Sequence, residues 1–225
     1  MCIRDRSNHD VVRVASRWGQ GTQPAHPDLL RLGAALQMSL RGSPCIYQGD
    51  ELGLPEADIA FEDLQDPYGI TMWPEFKGRD GCRTPMPWTG AAADLGFSSV
   101  ASSAAPWLPV AEPHRALAVD AQERDAASLL HFYRGLLRWR KSQPALVHGT
   151  LSVLPAHPQV LAFVRAHEGR RLLCVFNFSG TAAQWEVPAE LAAATEVPGS
   201  GLAVVARSGN LLQLPAWGGA YYQLG

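Results

Sequence analysis

Apolar residues recur at three- and four-residue steps between Pro27 and Arg41, at Leu29, Leu32, Leu36 and Leu40. That spacing gives an α-helix one greasy face and predicts a helix over 27–41. Pro27 suits the first turn, Asp28 complements the positive end of the helix dipole, and Gly42 supplies a stop. The pattern then changes to a short apolar run, Pro44-Cys45-Ile46-Tyr47, bounded by Gly42 and Gly49, which reads as a strand buried on both faces. Helix, tight turn and buried strand together suggest a parallel α/β unit. A second helix is expected over 128–142, where Leu129, Phe132, Leu136 and Trp139 recur beside Leu130, Tyr133 and Leu137. Asp125 or Ser128 caps its start, Arg138, Arg140 and Lys141 face the negative end of its dipole, and Pro144 closes it.

Between 52 and 125 the periodicity weakens, and Pro, Gly and Asp become frequent. So long an excursion inside a compact domain is usually functional or disordered, and the aromatics Trp73, Phe76, Trp88 and Trp107 argue for order. Beyond about 148, short strand-like runs separated by turn residues take over, at 160–165, 171–178, 184–187, 201–206, 211–214 and 220–224. Strands so spaced, with no helix between them, fit a small antiparallel sandwich. The expected organisation is an α/β part over 7–147 and an all-β domain over 148–225.

With 225 residues, 47% of them apolar, the chain can bury a real core. A net charge of -2, from 19 basic and 21 acidic residues, offers no field that would recruit nucleic acid or an anionic membrane. The longest apolar runs, such as 202–206, fall far short of the ~20 residues of a membrane span. Cys2, Cys45, Cys82 and Cys174 are scattered, without the close pairs of a zinc site or redox dithiol. No metal or other cofactor is implied, and a reducing, cytoplasmic compartment is expected. Cys45 and Cys174 lie in apolar runs and read as small buried hydrophobes. Residues 1–6 place three charges directly ahead of a polar tripeptide; they are expected to be a non-native leader standing in place of a buried strand.

That tripeptide, Asn8-His9-Asp10, has by itself the composition of a turn or a helix N-cap. Two later segments change its meaning. Gly42-Ser43-Pro44-Cys45-Ile46-Tyr47-Gln48-Gly49-Asp50-Glu51-Leu52-Gly53 resembles the last barrel strand of the α-amylase family and the turn after it. Lys77-Gly78-Arg79-Asp80-Gly81-Cys82-Arg83-Thr84-Pro85-Met86-Pro87-Trp88 resembles the segment that follows in α-glucosidases and oligo-1,6-glucosidases of glycoside hydrolase family 13. Order and spacing of all three segments agree. The resemblance extends over nearly the whole chain after Arg6. It implies an α/β fold: the C-terminal part of a (β/α)8 TIM barrel, with the active site at the C-terminal ends of the strands, followed by a small antiparallel β-sandwich. Strand seven would end where the described motif begins, so only about a quarter of the barrel would be present.

The same resemblance implies roles. Asp10 matches the family's third carboxylate, which accepts hydrogen bonds from sugar hydroxyls and favours positive charge building on the ring in the transition state. His9 matches the histidine that donates to a hydroxyl of the same sugar. Arg79 matches the arginine that closes the pocket over the non-reducing-end glucose and pairs with an aspartate from outside this sequence; a planar guanidinium suits that fixed role better than Lys. The substrate-binding set is therefore His9, Asp10 and Arg79, with Asp10 catalytic. Retaining glycosidases also need a nucleophile and a proton donor ~5 Å apart, and the family carries these on strands four and five, which this sequence does not contain. Arg83 divides between a pocket role and a structural ion pair. Asp50 and Glu51, though paired acids at a strand end, are expected to orient the turn, and Trp73, Phe76 and Trp88 to form the loop's own small core rather than a sugar platform. His131 and His148 carry no motif.

The sequence thus points to part of a retaining α-glucosidase acting on short oligosaccharides of maltose or isomaltose type, with transglucosylation within its chemistry. The chain alone is expected to be inactive. Two other readings share the motifs: an inactive relative used as a sugar-binding or interaction scaffold, and a sucrose- or trehalose-converting transferase or isomerase. Retention of His9, Asp10 and Arg79 together counts against the scaffold.

Overall fold

In the computed structural model the described residues are 3–4, 6–20, 23–98 and 105–224. Six helices follow in chain order: α1 (Val14–Arg17), α2 (Pro27–Ser39), α3 (Pro67–Thr71), α4 (Val119–Arg124), α5 (Leu129–Lys141) and α6 (Pro144–His148). The strands are β1 (Ile3–Arg4), β2 (Ser43–Pro44), β3 (Thr150–Val153), β4 (Val160–His167), β5 (Arg170–Asn177), β6 (Ala183–Glu186), β7 (Thr195–Glu196), β8 (Ala206–Ser208), β9 (Leu211–Leu214) and β10 (Gly219–Leu224). The chain divides into two compact units, one of residues 1–4, 27–44 and 132–225, the other of 5–26 and 45–131. Of the expected leader, Met1, Cys2 and Asp5 lie outside the described residues, while the backbone of Ile3–Arg4 pairs in parallel with Ser43–Pro44.

In the first unit, β3-β4-β5-β10-β7 form one antiparallel sheet and β6-β9-β8 a second. Alternation along the strands assigns the core. Val160, Ala162, Val164, Leu173, Val175, Ala220, Tyr222 and Leu224 meet Trp185, Leu212 and Leu214 between the sheets. The intervening positions form an aromatic layer on the other face, where Tyr221 meets Trp139 of α5 at 4.4 Å and Phe176 edge-on at 5.7 Å between centroids. Strands covered on both faces give runs that are apolar without interruption, as Leu172 to Phe176 is. The Tyr221 hydroxyl reaches Ser39 Oγ of α2 at 2.8 Å and donates to Ala35 O at 3.2 Å, so its polar tip is satisfied although buried.

Helix α2 ends two residues earlier than the periodicity suggests, and its burial is broader. Leu30, Leu32, Gly33, Ala34, Ala35, Gln37 and Met38 are buried, while Leu29, Leu36 and Leu40 are only half-buried. Glycine and alanine side chains escape a count of large apolar positions, yet they are what allows close approach around the helix. The strand expected over 44–47 is shorter: pairing stops at Pro44, and Cys45 is exposed rather than a buried hydrophobe, whereas Cys174 is buried as expected. The run at 201–206 is likewise not a strand; β8 begins at Ala206. For α5 the cap is Ser128, whose Oγ accepts from His131 N at 3.3 Å.

In the second unit the described residues of the excursion after Leu52 form short helices and 3-10 turns over a small aliphatic core of Leu52, Leu54, Met86 and Leu130. Gln122 ties it together, donating from Nε2 to Leu52 O at 2.8 Å. The aromatics do not form that core. Trp73 packs on Phe61 with centroids 5.5 Å apart, but Phe76, Trp88 and Trp107 are 42%, 50% and 63% exposed. Among the described residues no helix is long and apolar enough to cross a membrane.

Two glycines separate backbone need from backbone cost. A Cβ at Gly219 would stand 2.8 Å from Phe176 Cδ1 and 2.9 Å from Val175 O, while one at Gly135, inside α5, meets nothing within 4 Å. Gly135→Ala is expected to stabilise by about 0.5–1 kcal/mol, and Gly219→Ala to destabilise by about 1–3 kcal/mol through overpacking. Made in the full-length protein, the two variants should shift the melting temperature in opposite directions.

Candidate functional site

The second unit builds the site from short-range hydrogen bonds. Ser7 is buried and its Oγ accepts from Val14 N at 3.1 Å, which closes the turn into α1. Asn8 Oδ1 accepts from Asp10 N at 2.8 Å, an Asx turn. With the backbone so fixed, the His9 and Asp10 side chains are displayed at the surface, 69% and 49% exposed, with His9 Nε2 3.3 Å from Asp10 Oδ2.

Arg79 arrives from the excursion. Asp66, the N-cap of α3 with Pro67 behind it, accepts from Tyr68 N at 3.2 Å and from Arg79 N at 2.9 Å. It also takes the Arg79 guanidinium bidentately, from Nε at 2.8 Å and Nη2 at 2.9 Å. The third guanidinium nitrogen, Nη1, donates to Asp10 Oδ1 at 3.1 Å. The side chain of Tyr68 places its ring 5.5 Å below the Arg79 guanidinium carbon. Gly69 and Gly78 allow this approach: a Cβ at Gly69 would lie 2.6 Å from Lys77 O, and one at Gly78, where φ is +77°, would lie 2.9 Å from Gly69 Cα.

Asp66 is fully buried as a side chain, yet the Arg79 hydrogen bonds hold its carboxyl well below the usual carboxylate range, against the opposing effect of burial. The same bonds raise Arg79. Asp80 supports the turn, its Oδ2 accepting from Gln65 N at 2.6 Å and Asp66 N at 2.7 Å.

Arg83 completes the cluster. Its Nε donates to His9 O at 2.8 Å and its Nη2 to Asp10 Oδ1 at 3.0 Å, so it grips both the peptide and the side chain of the displayed pair. The structure therefore brings His9, Asp10 and Arg79 together with Arg83 and Asp66. Asp50 and Glu51 are engaged in other contacts. Glu51 Oε2 accepts from Gly49 N at 2.9 Å, Asp50 lies 3.8 Å from Arg6, and burial pushes both carboxyls up. Among the described residues no group of three or more His, Cys, Asp or Glu side chains is placed to hold a metal ion.

Asp66 is the residue that sequence reasoning passed over. Its signal was present, an Asp directly before Pro at the start of a short helix, but nothing local announced that it faces a side chain thirteen positions further on.

The profile of the α-amylase catalytic domain matches residues 6–149, and that of the maltogenic amylase C-terminal domain matches residues 151–220. The chain belongs to the α-amylase family. It carries part of that family's (β/α)8 barrel followed by an antiparallel β-sandwich. A probable α-glucosidase of Rhizobium meliloti is 47% identical over 97% of the chain, which spans 38% of that protein. An oligo-1,6-glucosidase of Halalkalibacterium halodurans is 32% identical over 82% of the chain, which spans 35% of it. The crystal structure of the α-glucosyl transfer enzyme XgtA superposes with a TM-score of 0.90 at 47% identity, over 99% of the chain and 40% of that enzyme. An isomaltulose synthase of Erwinia rhapontici, at 24% identity and a TM-score of 0.79 over 99% of the chain and 43% of its own, shares the fold.

The Asp66–Arg79 pair makes a pH prediction. Because the folded pKa is depressed below the ~4 of an unfolded aspartate, the pair stabilises fully above that value and its contribution is lost as pH falls through the folded pKa. In an NMR titration of side-chain carboxyls, Asp66 should stay ionised across pH 3–5 while exposed carboxylates protonate; co-titration with them would refute the assignment.

Proposed function

We propose that the chain is part of a retaining α-glucosidase that removes terminal α-linked glucose from short oligosaccharides of the maltose or isomaltose type. The observation that carries this reading is the convergence of Arg79 and Arg83 on one oxygen of Asp10, with the other beside His9. In it Asp10 favours positive charge on the sugar ring as the glycosidic bond breaks, and accepts from hydroxyls at the oxygen the arginines leave open. His9 donates to a hydroxyl of the same sugar. Arg79, fixed by Asp66, closes the end of the pocket. The nucleophile and the proton donor belong to the first part of the parent protein, and the reaction is placed in the cytoplasm, in keeping with cysteines that form no close pairs.

Similarity to a glucosyl transfer enzyme favours a second outcome for the same intermediate, capture by a sugar hydroxyl instead of water. Product analysis separates the two. With the full-length protein, maltose and isomaltose should yield glucose, together with longer oligosaccharides if transfer competes, while isomerisation of sucrose without net hydrolysis would favour the converting enzymes.

Asp10→Asn in the full-length protein should lower kcat by on the order of 100-fold or more, the scale seen when one transition-state group is removed. Arg79→Lys, which cannot bond Asp66 and Asp10 at once in the same fork, should raise KM with a smaller effect on kcat. Unchanged kinetics in Asp10→Asn would remove Asp10 from the catalytic machinery, and a full-length wild type without activity on any of these sugars would favour the scaffold reading. Residues 1–225 expressed alone should show no glucosidase activity and no cooperative unfolding transition.

A further inference from the structure

Two guanidiniums converge on Asp10, and each is fixed by a bond made elsewhere. Arg79 gives its Nε and Nη2 to the two oxygens of Asp66 at 2.8 and 2.9 Å, and Arg83 gives its Nε to His9 O at 2.8 Å. Each then brings one nitrogen to Asp10, and both nitrogens meet the same oxygen, Oδ1, at 3.1 and 3.0 Å. The second oxygen, Oδ2, faces His9 Nε2 at 3.3 Å. An arginine and a carboxylate ordinarily meet as a fork, two parallel bonds that engage both oxygens. Arg79 makes that fork with Asp66 and not with Asp10. Asp66 wins the competition because it is placed in advance: its side chain is 0% exposed, it caps α3 through Tyr68 N at 3.2 Å, and it accepts from Arg79 N at 2.9 Å. Asp80 steadies it in turn, its Oδ2 accepting from Gln65 N at 2.6 Å and Asp66 N at 2.7 Å. The Arg79 bonds keep the Asp66 carboxyl below the usual carboxylate range, so its charge persists despite burial.

We propose that Asp66 is a positioning residue that withholds Arg79 from Asp10, limiting their contact to a single bond so that Asp10 Oδ2 stays open to a sugar hydroxyl. Released from Asp66, Arg79 closes as a fork on both Asp10 oxygens and competes with the substrate for them. Arg79 is thus useful to the site only while a second carboxylate holds it. This role rests on the reading of Asp10 as a sugar-binding carboxylate and goes beyond the anchoring of Arg79, because it makes the unrestrained arginine worse for binding than no arginine at all.

The experiment compares Asp66→Asn, Arg79→Ala and the double variant, made in the full-length protein, on maltose. Asn caps a helix as well as Asp does, so the substitution keeps the start of α3 and removes the charge that draws Arg79. Asp66→Ser, an equal cap, carries the same comparison where Asn does not fold. Asp66→Asn should lower kcat/KM, chiefly through KM, by on the order of 10- to 100-fold, the scale of one hydrogen bond to a charged group. Adding Arg79→Ala should then restore part of that loss. A merely structural role does not give this recovery: a loosened α3 stays loosened in the double variant, and an arginine that is only misplaced leaves Asp66→Asn no worse than the double. A crystal structure of Asp66→Asn reads the restraint without any activity, and should show both Nη atoms of Arg79 on the two oxygens of Asp10. A double variant no more active than Asp66→Asn, or an Arg79 that keeps its single bond to Asp10 in that crystal, overturns the proposal. Asp10→Asn kinetics equal to wild type overturn instead the sugar-binding reading beneath it.

Discussion

Arg13 is the buried guanidinium around which the site-bearing unit closes. Only 2% exposed, it donates from Nη1 to Gln48 O at 2.7 Å and from Nη2 to Cys82 O at 2.8 Å, and its guanidinium carbon lies 5.4 Å from the centre of the Tyr47 ring. Its own amide donates to Glu56 Oε2 at 2.7 Å, and Tyr47 donates from its hydroxyl to the same Cys82 carbonyl at 2.9 Å. One side chain thus connects the turn that displays Asp10, the segment that opens the excursion, and the segment that carries Arg79 and Arg83. Gly49, with φ at +91°, is shaped by it: a Cβ there would stand 2.6 Å from Arg13 Nη1. Desolvating a guanidinium is costly unless its donors are met, and here Nε lacks a partner. The cost is offset by the number of separate chain segments that one planar group can fix at once.

The Asp10 cluster inherits its geometry from that staple. Asp10 follows Asn8 by two positions and precedes Arg13 by three, so the displayed carboxylate sits on a stretch of backbone fixed at both ends. Arg79 is fixed from the other side by Asp66, and Asp66 in turn by the backbone of α3. A salt bridge on an exposed surface contributes little because two long side chains must be ordered for it. Here Asp66 is buried and accepts from Tyr68 N, Arg79 N and two nitrogens of the Arg79 guanidinium, and the guanidinium bonds are the largest reason its carboxyl is lowered.

Much of this was legible in order along the chain. The three polar motifs, the second helix and most strands follow from periodicity, caps and spacing, because each depends on neighbours a few residues away. The strands β4, β5, β9 and β10 lie where short apolar runs placed them. What escaped depends on distant partners. The exposure of Cys45 and the truncated strand before it follow from which segments pair, and pairing is not written in the run itself. Helix α2 is buried through its small residues, which carry no signal in a search for large apolar ones. Asp66 reads as a cap, and only the folded chain turns it toward Arg79. The aromatics of the excursion were expected inside; aliphatic Leu52, Leu54 and Met86 fill that space instead.

The two oxygens of Asp10 are not equivalent, and the difference bears on the chemistry proposed for it. Oδ1 takes both guanidiniums, at 3.1 and 3.0 Å, while Oδ2 lies beside His9 and is the oxygen left for a sugar hydroxyl. Two arginines face two aspartates, Asp10 and Asp66, so the cluster is neutral as it stands. A sugar ring acquiring positive charge is stabilised by negative charge aimed at it, and in the proposed reaction the Asp10 oxygen that the arginines leave open supplies it. The further carboxylate that a retaining glycosidase requires as nucleophile would add to that negative charge and make the completed site anionic. Asp50, Glu51 and Glu56 are poor candidates for that group, since burial raises all three and Glu51 and Glu56 are engaged by backbone amides. The charge count of the cluster is thus in keeping with the division of labour we propose, in which this chain supplies Asp10 and its supports and the bond-breaking acids come from elsewhere in the parent protein.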